Sequence, residues 1–226
     1  MELDQALDIR RGITAVIGGG GKTTLLRTLG ESLARRGHRV LLCTTTKFYP
    51  FPGLENLISP TENSLRRALE RCGLIAAGTP VPGTGKLTAL ELPMNRLAAL
   101  ADYVLVEADG AAGRPMKAHA PHEPVIPPKA DQTVLVVGAS GFGRPITQAA
   151  HRPELYAALA GVTPQEPITP ELAAAVLHAE GLHQRVFVNQ AETPRDLALA
   201  RQMGKLLSCP VWAGVLQKGD WSLCSS

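Results

Sequence analysis

Apolar residues in this chain fall into short continuous runs separated by stretches of helical spacing. Ile13 to Ile17 (ITAVI) is an apolar run that ends in glycines, the pattern of a strand buried on both faces. From Thr23 to Arg36, Leu25, Leu26, Leu29 and Leu33 follow helical spacing, and Gly37 suits the stop. Val40 to Cys43 is the next buried strand, and the intervening helix predicts a right-handed crossover and a parallel pair. Residues 48–60 read as proline-rich loop. Thr61 caps a predicted helix to about Cys72, Leu74 to Ala77 reads as a strand, and GTPVPGTGKLTALELP has the turn chemistry of a small hairpin. Met94 to Leu100 predicts a helix leading into a buried strand, Tyr103 to Glu107. Residues 110–130 are proline-rich with little period and read as an ordered loop or a covering flap. Beyond it come a strand at Thr133 to Val137, helices at Pro153 to Ala160 and Glu171 to Ala179, and a strand at Arg185 to Asn189. A helix at Pro194 to Leu207 and a last strand at Val211 to Ala213 follow. Strands alternating with helices predict one α/β layer domain over residues 1–226 with a mostly parallel central sheet. In such sheets ligands bind at the carboxyl ends of the strands.

Composition narrows the function. The chain is 45% hydrophobic and 19% charged, an ordinary globular balance. Its net charge of +3 with no dense basic block, and an aromatic content of 4%, speak against a nucleic-acid-binding surface. No apolar run reaches the roughly 18 residues of a membrane span. MELDQALDIRRG carries acids and no apolar core, unlike a secretion signal. Cys43, Cys72, Cys209 and Cys224 form no CxxC pair and suggest reduced thiols in a cytoplasm, with Cys43 a small core residue.

The first strand is followed by Gly18-Gly19-Gly20-Gly21-Lys22-Thr23-Thr24 and then a helix, the context a phosphate-binding loop requires. Glycines let successive N–H groups turn inward as an anion nest, and the helix N-terminus adds its dipole. Lys22 would meet the β and γ phosphates of ATP or GTP, and the Thr23 hydroxyl a Mg2+ ion. Val16 stands where such loops usually begin with glycine.

Other strand ends offer partners. Glu107 and Asp109 close a buried strand with shared parity, and are equal candidates for the magnesium acid. Thr44-Thr45-Thr46-Lys47 ends the second strand, where hydroxyls and a cation suit the γ phosphate or its water. Lys22, Thr46 and Asp109 are therefore the expected catalytic residues, and Lys47 an expected phosphate contact. Gly-rich turns after two strands each deliver an Arg-Pro, at Arg114 and Arg144, whose guanidiniums suit anion hooks. Asn189, with Glu192 three residues on, resembles the base-reading N-K-x-D element of GTP-binding proteins, with Gln190 and Glu192 in place of Lys and Asp. His119, His122 and Glu123 lack the helical spacing of a zinc motif.

IGGGGKTTL, CTTTKFYP, VEADGAAGRPMKAHAPHEPVIP, VVGASGFGRPI with AAHRPEL, and FVNQAE together resemble the YqeC family, accessory proteins of selenium-dependent molybdenum hydroxylases. The resemblance implies a three-layer P-loop NTPase-like fold and a role in maturing a molybdenum enzyme, with that hydroxylase or its cofactor-handling proteins as partners. More distantly, GGKTT with strand-ending Glu107 is similar to metallochaperone GTPases and to ATP-using synthetases of the dethiobiotin type, where an acid at the Glu107 position binds magnesium. The expected function is nucleotide binding and hydrolysis by a maturation factor. The alternatives are a small-molecule kinase or ATP-dependent ligase, and a non-hydrolysing nucleotide sensor.

Overall fold

The computed structural model describes residues 1–225. They divide into two compact units whose segments interleave along the chain. The first comprises residues 1–16, 25–109 and 125–132, and the second the described residues of 17–24, 110–124 and 133–225.

The first unit opens with a short helix, α1 (Leu3–Ala6), absent from the sequence reading because four residues are too few to show a period. Its Asp4 is buried, accepting from Ser32 Oγ at 2.5 Å and pairing with Arg36. β1 (Gly12–Gly18) follows, and its residues to Val16 belong to this unit. α2 (Lys22–Arg35) buries Leu25, Leu26, Leu29 and Leu33 completely. Next come β2 (Val40–Thr44), β3 (Lys47–Phe48), β4 (Glu55–Ile58) and α3 (Glu62–Cys72). Thr61 caps α3 by accepting from Ser64 N, and Gly73 ends it at φ +70°. β5 (Leu74–Val81), β6 (Lys86–Thr88), α4 (Met94–Leu100) and β7 (Tyr103–Glu107) complete the unit's elements.

β7 pairs in parallel with β1 on one side and β2 on the other, and β5 continues from β2 in parallel. β1 and β2 are thus parallel but not neighbours, as the sequence reading had them. The α2 crossover steps over the place that β7 fills, and consecutive strands neighbour one another only about two-thirds of the time. β5 and β6 form the expected hairpin. The 48–60 stretch is not all loop: β3 pairs with β6, and β4 adds a parallel edge to β5. β4 carries Glu55 and Asn56 and is only half-buried, so it lacks the apolar run that marks a central strand. The unit's core gathers Ile13, Leu41, Cys43, Leu65, Leu69, Ile75, Leu97, Val104 and Val106. Burial pushes the Cys43 thiol up to about 12, so it behaves as a small hydrophobe.

The second unit contains β8 (Met116–Lys117), β9 (Gln132–Gly138), α5 (Ile146–Ala149), β10 (Ala150–His151), α6 (Pro153–Ala160) and α7 (Pro170–Glu180). β11 (Arg185–Asn189), α8 (Pro194–Gly204), β12 (Val211–Val215) and β13 (Asp220–Ser225) follow. β9, β11 and β12 run parallel, while β13 returns antiparallel as an unanticipated last strand. Thr169 and Thr193 cap α7 and α8, each with proline at the first helical position, and Thr193 forms a full capping box with Asp196. Met116 and Lys117 pair in parallel with β10. Across both units the fold is α/β with mostly parallel strands. Among the described residues no helix is long and apolar enough to cross a membrane.

Candidate functional site

The second unit holds the glycine loop between the end of β1 and the start of α2. All four glycines are demanded by contact. An added Cβ would stand 2.3 Å from Val136 O at Gly18, 2.6 Å from Arg114 O at Gly19, 2.3 Å from Gly138 N at Gly20 and 2.5 Å from Asn189 Nδ2 at Gly21. Gly18, Gly20 and Gly21 also take positive φ, of +96°, +74° and +124°.

The sequence reading had successive glycine N–H groups turning inward as a nest. The structure corrects this in part: Gly19 N donates to Val136 O at 2.9 Å and Gly20 N to Arg114 O at 3.1 Å. Those bonds complete the backbone pairing of the β9 end and the Arg114–Pro115 segment, which the sequence pattern does not reveal. Anion attraction then belongs to the first turn of α2, which begins at Lys22 and carries the positive end of the helix dipole. Lys22 is buried at 6% exposure, and its Nζ donates to Gly18 O at 2.6 Å, so the ammonium lies folded along the loop. Thr23 is exposed and Thr24 half-buried on the same turn.

Asn189 ends β11 and is buried. Its Nδ2 donates to Gly20 O at 2.8 Å, and its Oδ1 accepts from Leu216 N at 3.2 Å. One amide thus ties the loop to the segment after β12, with one N–H of the NH2 group beyond the Gly20 bond. A cavity of about 430 Å³ opens here, lined by Gly21, Thr24, Ser140, Asn189, Gln190, Glu192, Asp196, Val215 and Gln217. Gln190 adopts φ +64°, a left-handed turn at the strand end, and its Oε1 accepts from Ser140 Oγ at 2.6 Å. The sequence reading missed Ser140, Asp196, Val215 and Gln217. Following β12 to its carboxyl end at Val215, instead of stopping at Ala213, would have pointed to the last two.

Arg114 is exposed, and its Nη1 donates to Gln148 O. Arg144 is exposed on the turn after β9, with its backbone held by Gly141 and Ile168. The middle of the proline-rich segment, residues 115–120, is buried. Lys117 has a fully buried side chain whose Nζ donates to Gly110 O and pairs with Glu123 at 2.9 Å. Glu123 also pairs with Arg152 at 3.2 Å. Burial raises the Glu123 carboxyl, but the bonds from Lys117 and Arg152 outweigh it and hold the group below the usual carboxylate range. His119 is bonded through both its N–H and its ring Nδ1 to Glu180, at 2.6 and 2.9 Å. Among the described residues no group of three or more His, Cys, Asp or Glu side chains could hold a metal ion.

In the first unit, Glu107 stands opposite Val16 of β1 and Thr44 of β2, at the carboxyl end of β7. Thr44 Oγ1 donates to Glu107 O at 2.7 Å, Thr45 N donates to the same carbonyl at 3.1 Å, and Thr46 N donates to Thr44 Oγ1 at 2.9 Å. The threonine run therefore braces the acidic strand end through its backbone. Thr46 is half-buried with Oγ1 3.3 Å from that of Thr44, and Lys47 is exposed on β3. Glu107 and Asp109 are both buried; Asp109 lies beyond the end of β7, so the extended backbone assumed for their shared parity stops short of it.

A glycine loop between a parallel strand and a helix, with a buried lysine at the helix start, places the chain among α/β proteins with a mostly parallel sheet and has the strand–loop–helix arrangement that phosphate-binding loops use. A family model described as YqeC protein matches residues 14–154. YqeC of Escherichia coli (strain K12) is 31% identical over 200 residues, 81% of this chain and 75% of that protein. The chain belongs to the YqeC family. Among solved structures, FtsY from Mycoplasma mycoides is similar with a TM-score of 0.46 at 12% identity, covering 92% of this chain and 61% of FtsY. The hydrogenase maturation factor HypB from Archaeoglobus fulgidus has a TM-score of 0.41 at 10% identity, covering 96% of this chain and 87% of HypB. The chain thus spans under two-thirds of the FtsY length.

Proposed function

We propose that this YqeC-family chain binds ATP or GTP at its glycine loop, with Mg2+, and hydrolyses it as an accessory factor in the maturation of a selenium-dependent molybdenum hydroxylase. The observation that carries nucleotide binding is the loop itself. Four glycines are packed so closely that no side chain fits, and they deliver a buried Lys22 to the N-terminus of a long helix. A surface turn would have no need of such contacts. A triphosphate suits this site because it supplies the anion that the helix dipole and the Lys22 ammonium attract. Lys22 would release Gly18 O for the β and γ phosphates, and Thr23 would offer its hydroxyl to the metal. Gly18 to Gly21 shape the loop, Thr24 continues its first turn, and Asn189 holds Gly20. Arg114 and Arg144 serve in this proposal as anion hooks. The accessory role and its hydroxylase partner rest on the family resemblance. The roles expected of Thr46, Lys47, Glu107 and Asp109 are separate proposals, each answered by its own variant.

Calorimetry with ATP and GTP, with and without magnesium, tests the proposal on wild type and Lys22→Ala. Wild type should bind, and triphosphate at a hundred times Kd should add about 2.7 kcal/mol of apparent stability. Lys22→Ala should lose most of the affinity. Unchanged affinity in a folded Lys22→Ala protein would remove the phosphate-loop assignment.

A further inference from the structure

Within the second unit, residues 110–124 cross the glycine loop as a strap. Gly20 N donates to Arg114 O at 3.1 Å, and Gly138 N, at the end of β9, donates to Pro115 O at 2.8 Å. A Cβ on Gly19 would stand 2.6 Å from Arg114 O and 2.8 Å from Pro115 O, so both carbonyls press on the loop. A carbonyl oxygen takes the same backbone N–H donor that a phosphate oxygen takes at a loop of this kind. Arg114 O and a triphosphate therefore compete for Gly20 N. We propose that the strap is an autoinhibitory cover on the phosphate loop, and that Lys117 is the positioning residue that holds it shut. This rests on the phosphate-loop reading above and adds how that site is regulated.

One part of the strap is fixed and another can give. Met116, Ala118 and Ala120 are buried, and Met116 and Lys117 pair with β10. Ala112, Gly113 and Arg114 are exposed, and nothing lies within 4 Å of a Cβ placed on Gly110 or Gly113. Few packed atoms resist displacement of that stretch, so polar contacts hold it. Arg114 Nη1 donates to Gln148 O. From the fixed part, the fully buried Lys117 side chain donates through Nζ to Gly110 O. Glu123 keeps Lys117 in place at 2.9 Å, and Arg152, at the start of α6, holds Glu123 at 3.2 Å. Lys117 thus ties the buried part to the residue where the exposed stretch begins.

Opening lifts residues 111–114 about Gly110. Arg114 N donates to Ala111 O at 2.9 Å, so these residues form one turn, which is kept but no longer covered on its loop side. Gly20 N then becomes available to a phosphate oxygen. The Arg114 guanidinium leaves Gln148 O and becomes available for the anion-hook role proposed above. Triphosphate affinity in the intact protein is reduced by the fraction of molecules that are closed.

The test compares calorimetric affinity for magnesium ATP and GTP in wild type and Lys117→Met. Methionine keeps the buried bulk of the side chain, removes the bond to Gly110 O and leaves Glu123 paired with Arg152. The variant should bind triphosphate about tenfold more tightly. Loss of a positive charge would by itself weaken binding of an anion, and a merely structural lysine would give no gain. Hydrogen exchange followed by mass spectrometry on wild type supplies a second reading. Saturating triphosphate should speed exchange in residues 110–115 and at Gly138, which lose their mutual cover, and this decides the matter if Lys117→Met does not fold. Unchanged or weaker affinity in a folded Lys117→Met protein, or unchanged or slower exchange in both segments, overturns the cover and leaves the phosphate loop standing. Binding of neither triphosphate to either protein overturns both.

Discussion

Gly20 and Gly113 share a φ of +74°, yet alanine at the two positions should have different consequences. Both substitutions force an L-residue into the left-handed region, at a cost of about 1–2 kcal/mol. At Gly113 nothing lies within 4 Å of the new Cβ, so that cost stands alone. At Gly20 the Cβ would fall 2.3 Å from Gly138 N, 2.4 Å from Gly138 Cα and 3.0 Å from Val137 C. All three are backbone atoms at the end of β9, where Gly138 N also donates to Pro115 O at 2.8 Å, so none can swing aside as a side chain would. Overpacking of this kind adds about 1–3 kcal/mol. Gly20→Ala should therefore lose about 2–5 kcal/mol and Gly113→Ala about 1–2 kcal/mol. For a chain of this length each kcal/mol is about 2–4 °C in unfolding midpoint, so thermal melts followed by circular dichroism resolve the two. Gly20→Ala should also displace the start of α2 and weaken triphosphate binding, while Gly113→Ala should leave it nearly intact. Destabilisation equal within about 0.5 kcal/mol would refute the close-packing argument for the loop.

Neutralising Glu107 and Asp109 one at a time, as Glu107→Gln and Asp109→Asn, should abolish the magnesium dependence of nucleotide affinity in whichever carries the metal; full metal-stimulated turnover in both would rule out either acid. Arg114→Ala and Arg144→Ala should each lose about 1.5–3 kcal/mol of nucleotide or acceptor binding if the guanidiniums grip an anion, with lysine restoring only part. Changes below about 0.5 kcal/mol in both would make them surface arginines. Glu123 provides a pH test. Its carboxyl titrates below its unfolded value, so its contribution is present above the unfolded pKa, near 4.3, and is lost as pH falls through the lower folded value. Acid titrations of stability should therefore be flatter in Glu123→Gln over that window, and coincident curves would count against the Lys117–Glu123–Arg152 cluster.

Much of this protein was legible from local pattern. Met94 to Leu100, Tyr103 to Glu107, Pro153 to Ala160 and Arg185 to Asn189 end where apolar period, caps and prolines said they would. Those signals act within a few residues, through helix-end hydrogen bonds and the burial of a continuous run. The GGGGKTT loop, Glu107 closing β7 and Asp109 just beyond it were equally plain, because each is part of one contiguous segment. Partner choice was not legible. That β7 lies between β1 and β2 depends on which strands complete each other's hydrogen bonds across long separations. The same holds for Gly19 and Gly20, whose N–H groups found carbonyls at Val136 and Arg114, and for Lys117 and His119 of a proline-rich segment, which burial matched to Glu123 and Glu180. The cavity is the clearest case. Its walls come from residues 21–24, 140, 189–196 and 215–217, segments that share no sequence period. They meet only because β9, β11 and β12 run parallel, which brings their carboxyl ends, and the loops that leave them, to one edge.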